Sequence, residues 1–150
     1  MRLRSQKRMG TSKSLTLTKA FAHYSARLKN VRWAYSAISA DDKLIVACWS
    51  RYLKDQPDGR EHYQVNDLSQ WTSNPLGKKL LQQHLKQALD AKLRVRMVRV
   101  NTADHDAPIA GVDGSKLAKT IHVADEMIGR VIQATPQGFT IEFKREGNPY

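Results

Sequence analysis

Cysteine is nearly absent from this chain, and that scarcity limits both its chemistry and its surroundings. Cys48 is the single cysteine, so no disulfide bond can form within the molecule. A lone cysteine in an apolar stretch is typical of a buried, unreactive thiol in a reducing compartment. We therefore expect a cytoplasmic protein, while an organelle-targeting segment at the basic, acid-poor N terminus stays open.

Long apolar runs are also absent. The longest covers residues 44–49, far short of the roughly 20 residues that a membrane-spanning helix needs, so no membrane partner is expected. Glycine and proline are sparse, at eight and five residues, and 41% of the 150 residues are hydrophobic. A chain of this size and composition is expected to fold around one core as a single domain.

Acidic residues are missing from the first forty positions, which hold nine lysines and arginines. The remaining sixteen basic residues and all fourteen acidic residues lie at positions 41–150. The net charge of +11 is therefore +9 in residues 1–40 and +2 in residues 41–150. A positive field concentrated at one end attracts polyanions. The imbalance therefore indicates a class of partner and names no reaction.

The basic front divides into two parts. Residues 1–13 are rich in Arg, Lys and Ser without apolar periodicity, which predicts a flexible basic arm ahead of one domain at residues 14–150. From Leu15 onward, apolar residues recur at three- and four-residue steps and predict an amphipathic helix with a basic outer face. The apolar positions of this helix are Leu17, Phe21, Tyr24 and Leu28.

The rest of the chain reads as strands and one further helix. Asn74 followed by Pro75 is typical of a helix start, and the helix is predicted to continue to about Lys92. Strands are predicted at 31–37, 43–53, 62–65, 93–100, 127–133 and 139–144, with a loop at 101–114 and a helical turn at 115–120. Both faces of residues 44–49 are apolar, which indicates cover on each side. The predicted fold is α+β: a curved, mainly antiparallel sheet with two packed helices in a single small domain.

Motifs for catalysis are lacking. The five histidines are scattered, and with one cysteine they offer no zinc-binding spacing. The chain has no Gly-x-Ser-x-Gly elbow, no phosphate-binding loop and no Gly-x-Gly-x-x-Gly turn. We therefore predict no catalytic residue, no metal and no cofactor, and a binding protein is favoured over an enzyme.

One enzymatic alternative stays open. Asp125 with Glu142 and Lys144 gives an acidic residue and a Glu-x-Lys, and such groups can hold Mg²⁺ and stabilise charge beside a phosphate. The predicted opening order of helix, strands, helix and strand is similar to that of the restriction-endonuclease-like fold, which implies a Mg-dependent nuclease. That family carries its Glu-x-Lys between the two helices, where this chain has none.

Basic and aromatic residues lie side by side at Arg32-Trp33 and from Trp49 to Tyr52. Such pairs can stack on bases and neutralise phosphates. Three arginines crowd the strand at 93–100, where they repel one another unless acids or phosphates face them. We therefore predict a nucleic-acid-binding protein (DNA or RNA) that engages phosphates through its arm, first helix and sheet. Its predicted contact residues are Arg2, Arg4, Lys7, Arg8, Lys13, Lys19, Arg27, Lys29, Arg32, Trp49, Arg51, Arg94 and Arg96.

The same basic surface also fits a third hypothesis, a module that docks an acidic protein within a larger complex. The sequence does not choose between DNA and RNA, and it does not fix the oligomeric state.

Overall fold

One open sheet organises the computed structural model, which describes residues 14–102 and 119–149. Two helices and eight strands, mostly antiparallel, occur in these ranges and confirm the predicted α+β architecture. The elements are α1 Leu17–His23, β1 Ser36–Ile38, β2 Leu44–Trp49, β3 Leu53–Asp55, β4 Glu61–Val65, α2 Pro75–Ala91, β5 Arg94–Thr102, β6 Lys119–Val123, β7 Met127–Ala134 and β8 Phe139–Arg145.

The strands follow the order β1-β2-β5-β7-β8-β4-β3, and β6 also pairs with β5. Only β2 and β5 run parallel among the described strand pairs. On β5, Val98 pairs with Val123 of β6 and Val95 pairs with Gly129 of β7. These pairs are three residues apart on β5 and six residues apart on the antiparallel segment that contains β6 and β7. The three extra residues form a bend between β6 and β7.

The sheet is covered on both faces, as the apolar alternation of β2 predicts. Leu44 and Val46 share one core cluster with Leu81 of α2. Ile45 shares a second cluster with Phe21 of α1. Successive side chains of a strand point to opposite faces, so each helix takes one face of β2.

Helix α2 begins and ends as its sequence predicts. The side-chain oxygen of Asn74 accepts a hydrogen bond from the Gly77 amide at 3.0 Å, and Pro75 occupies the first turn. Lys92 follows the helix with a φ of 57°, a left-handed conformation that stops further helical hydrogen bonding.

The first helix is shorter than its periodicity predicts. It ends at His23, and Ser25 adopts a φ of 60°, which turns the chain out of the helical path. Tyr24 holds this turn in place, because its hydroxyl donates to the Met97 carbonyl at 3.2 Å and accepts from the Ala124 amide at 3.1 Å. Arg27 and Lys29 therefore lie on an irregular segment, and the prediction of a helix through Leu28 is wrong.

Three further boundaries differ from the sequence prediction. Residues 31–33 form a turn instead of a strand, because the side-chain oxygen of Asn30 accepts hydrogen bonds from the backbone amides of Arg32 and Trp33. The predicted strand 43–53 is interrupted by a single 3₁₀ turn at Ser50–Tyr52. Lys119 and Thr120 belong to β6, so the predicted helical turn is wrong there, while residues 115–118 lie outside the described ranges.

No helix in the described ranges is long and apolar enough to cross a membrane.

Burial makes Cys48 a probe of unfolding. Its side chain is fully buried, and that burial raises the pKa of the thiol well above its usual value. Because the thiolate is the reactive form, we expect an aromatic disulfide reagent to modify the native protein about 100-fold or more slowly than the urea-unfolded chain. Rapid stoichiometric modification of the native protein would contradict the buried placement.

Candidate functional site

Helix α1 covers only part of its face of the sheet. Seven residues give a helix about 10 Å long. Beside its first turn, Ala47, Val100 and Ile121 line a cleft of about 390 Å³. These three residues come from the neighbouring strands β2, β5 and β6. The cleft therefore lies over the sheet beside the N-terminal end of α1.

All three tryptophans of the chain line this cleft, together with Tyr35. Trp33, Trp49 and Trp71 are each half-buried, unlike the fully buried aromatic residues of the core such as Tyr63. We call this site the aromatic cleft. Its described lining is Thr16, Leu17, Thr18, Val31, Arg32, Trp33, Ala34, Tyr35, Ala47, Trp49, Trp71, Ser73, Asn74, Val100, Lys119 and Ile121.

The charges in this lining have one sign. Arg32 and Lys119 are the charged members, and the described lining contains no Asp or Glu. Thr16, Thr18 and Ser73 contribute hydroxyl groups. Aromatic surface with positive charge and a few polar groups suits a planar ligand that carries negative charge.

The start of α2 fixes the position of Trp33. Asn74 donates its side-chain N–H to the Trp33 carbonyl at 2.8 Å, while its oxygen caps the helix. Gly77 allows the close approach, since a Cβ there would meet the Trp33 carbonyl oxygen and lie 2.5 Å from Tyr35 Cε2. The glycine weakens the helix slightly, and its missing side chain lets this wall of the cleft pack against α2.

Trp71 is held by other aromatic residues. Its indole N–H donates to the Tyr52 hydroxyl at 3.1 Å, and its ring lies 5.5 Å from the Tyr52 ring and 6.1 Å from the Tyr35 ring. Burial raises the pKa of Tyr35 well above 10, so its phenol stays neutral at physiological pH. The wall of the cleft on this side is therefore fixed in position and uncharged.

The predicted contact residues are distributed unevenly around the cleft. Arg32 and Trp49 line it, and the exposed Arg51 follows Trp49 in the next turn. Lys19, Arg27 and Lys29 are exposed in or just after α1. The arm residues Arg2, Arg4, Lys7, Arg8 and Lys13 lie outside the described residues.

Two of the three strand arginines face acids within the molecule. Arg96 lies 3.1 Å from Glu146 and donates to the Met127 carbonyl at 3.0 Å. Arg99 pairs with Glu61 through two hydrogen bonds of 2.8 and 3.1 Å. Internal pairing therefore accounts for Arg96 and Arg99 at their positions without an external phosphate.

Arg94 is exposed at the far end of β5 from the cleft. On the parallel neighbour β2, Leu44 pairs with Val95, whereas Trp49 pairs with Val100. Val100 lies six residues after Arg94 along the strand, a distance of about 20 Å. Arg94 and the aromatic cleft therefore belong to different regions of the surface.

The acidic residues of the nuclease hypothesis have basic neighbours of their own. Glu142 accepts from Arg130 at 3.0 Å, its carboxylate lies 3.2 Å from His62, and Arg60 approaches it at 3.5 Å. Asp125 lies in the bend between β6 and β7, where its carboxylate is 2.8 Å from the ring of His23. Within residues 14–102 and 119–149, no group of three His, Cys, Asp or Glu side chains is placed to hold a metal ion.

Sequence reasoning missed Tyr35, Trp71, Asn74 and Lys119 as members of one site. Trp33, Trp49 and Trp71 are 16 and 22 positions apart, a spacing with no helical or strand periodicity. Their convergence depends on how β1, β2 and the segment before α2 meet. The available signals were the neighbouring basic and aromatic residues at Arg32-Trp33 and from Trp49 to Tyr52.

In comparisons with known proteins, the chain matches no family model, no curated protein and no solved structure.

Gly77→Ala tests the packing behind Trp33. The added methyl should destabilise the protein by up to about 2 kcal/mol, because overpacking costs about 1–3 kcal/mol and the better helix propensity of alanine offsets about 1 kcal/mol of that cost. Urea unfolding measures the difference. Lys79→Ala, at an exposed position of the same helix, is the control and should change stability by less than about 0.5 kcal/mol. A stabilised Gly77→Ala protein would contradict the close approach.

Glu142→Gln tests the charged cluster on β8. Burial by itself raises the pKa of Glu142. Hydrogen bonds from His62 and Arg130 and the charge of Arg60 together lower the pKa by more than burial raises it, so the net shift is downward. Its contribution to stability is therefore complete above the pKa of an unfolded glutamate, about 4.3, and is lost as pH falls through the lower folded pKa.

At pH 7 the Glu142→Gln protein should be about 1–3 kcal/mol less stable than the wild type, and this difference should shrink toward pH 3. Urea unfolding at pH 7, 5 and 3 measures it, with the exposed Glu126→Gln as control. An equal loss at all three pH values would show that the charge of Glu142 is not responsible.

Proposed function

We propose that this protein binds nucleic acid, with bases contacting the aromatic cleft and basic residues around it neutralising phosphates. The observation that carries the proposal is the composition of the cleft: three half-buried tryptophans with Arg32 and Lys119. Aromatic side chains stack on bases of any sequence, and nearby cations add affinity from the phosphates. A cleft that combines both features is suited to a nucleic acid.

The distribution of charge supports the same partner. Arg32 lines the cleft. Lys19 is exposed on α1, and Arg27 and Lys29 are exposed on the segment that follows this helix. Arg51 is exposed in the turn after β2. Four of these five cations lie within the first forty residues, none of which is acidic. Such a surface attracts a polyanion and holds it by releasing counterions.

A second candidate is an acidic protein partner. Val31 in the cleft lining and Leu76 at the start of α2 are 67% and 56% exposed, and exposed apolar residues beside cations also suit a protein surface. After nuclease treatment of a lysate, co-purification of a defined acidic protein would favour this candidate. Loss of all bound material on nuclease treatment would favour nucleic acid.

Salt dependence provides the direct test of the proposal. If about four phosphates are contacted, affinity for a fluorescent single strand should fall about 50-fold between 50 and 200 mM salt, measured by anisotropy. Replacing the five basic residues of the arm with Gln in the full-length chain should weaken binding and reduce the salt slope. Absent binding to both DNA and RNA, or binding that salt leaves unchanged, would refute the proposal.

A further inference from the structure

We infer that the aromatic cleft receives an unpaired nucleobase, so that the protein selects single-stranded or unpaired nucleotides over intact duplex. This inference rests on the proposed function and adds to it the form of nucleic acid that is recognised. It depends on the shape of the cleft, the exposure of its rings and the position of its charges.

The shape of the cleft suits a single accessible base better than a stacked one. A cleft of about 390 Å³ is at the small end of the range of ligand-binding pockets, and it is concave. Bases within a duplex have both faces covered by their neighbours and reach such a pocket only after unstacking. A base in a single strand is already accessible, so the cleft favours unpaired nucleotides without the cost of opening a duplex.

The tryptophans are placed for stacking. Trp33 lies in the turn before β1 and Trp49 ends β2, so two separate segments bring indole rings to one cleft. Both residues are half-buried and pack against the core cluster that contains Phe21 and Ile45, so part of each residue stays accessible. Rings that are already held in place lose little conformational entropy when a ligand binds.

Arg32 provides a positive charge beside the cleft for the phosphate of a bound nucleotide. Arg32 is adjacent to Trp33 in the turn that Asn30 closes, and its side chain is exposed. A nucleotide whose base contacts Trp33 has its phosphate a few ångströms away, within reach of an arginine side chain. The described lining offers no carboxylate to repel that phosphate.

The protein carries its own reporter for this test. Since all three tryptophans line the cleft, intrinsic tryptophan fluorescence comes from this site. The full-length protein is titrated with a ten-nucleotide oligothymidylate, with an abasic strand of the same length and charge, and with a duplex of matched phosphate number. We expect fluorescence quenching by the oligothymidylate and binding about 5- to 150-fold weaker to the abasic strand, the range found for loss of one stacked base.

Two pairs of variants localise the effect. Trp49→Ala should weaken binding of the oligothymidylate and leave the affinity for the abasic strand nearly unchanged, and Trp49→Phe should restore much of the loss. Arg32→Gln should weaken binding more than Arg94→Gln, since each removes one exposed cation but Arg94 lies about 20 Å away along the sheet.

The outcomes separate this inference from the proposed function. Equal affinity for the oligothymidylate, abasic strand and duplex, without fluorescence change, would overturn the inference and leave nucleic-acid binding in place. Failure to bind any of the three would overturn both. Equal losses for Arg32→Gln and Arg94→Gln would overturn the inference, as would saturation of the fluorescence change by an acidic peptide but not by the oligothymidylate. If Trp49→Ala fails to fold, the abasic comparison with the unaltered protein still decides the question.

Discussion

The packing of Trp33 against the start of α2 is the interaction on which the aromatic cleft depends. Asn74 caps α2 and donates its side-chain N–H to the Trp33 carbonyl, and Gly77 has no Cβ that would block this approach. Trp33 lines the cleft together with Trp49 and Trp71, and the segments that carry these residues meet over β2, β5 and β6. The first turn of α1 borders the same cleft.

Internal ion pairs determine which of the many cations are available to a partner. Arg96 pairs with Glu146, Arg99 with Glu61 and Arg130 with Glu142. These acidic residues, all from positions 41–150, neutralise basic residues of the sheet. The count of 25 lysines and arginines therefore overstates the number of cations that the sheet offers to a partner. Around the cleft the balance differs, because its described lining contains cations and no carboxylates. Local composition, more than total charge, supports the proposed interface.

Local patterns predicted the elements whose signals are contained in a few neighbouring residues. Asn74 and Pro75 mark the start of α2, and the alternating core of residues 44–49 predicts cover on both faces of β2. Periodicity failed at α1, where Leu28 continues the helical spacing but contacts the core from an irregular segment. The crowding of Arg94, Arg96 and Arg99 was recognised, but the acids that face two of them lie 38 and 50 positions away.

The sequence by itself determined the fold class, the capped second helix, the burial of both faces of β2 and the excess of positive charge, because each depends on composition or on neighbours within a few residues. Only the tertiary structure decided that Trp33, Trp49 and Trp71 meet in one cleft, that Gly77 admits Trp33 to the side of α2, and that acids pair with Arg96 and Arg99. These contacts join residues far apart in the chain. No periodicity of the sequence encodes such contacts, because they depend on how strands and helices from different segments come together.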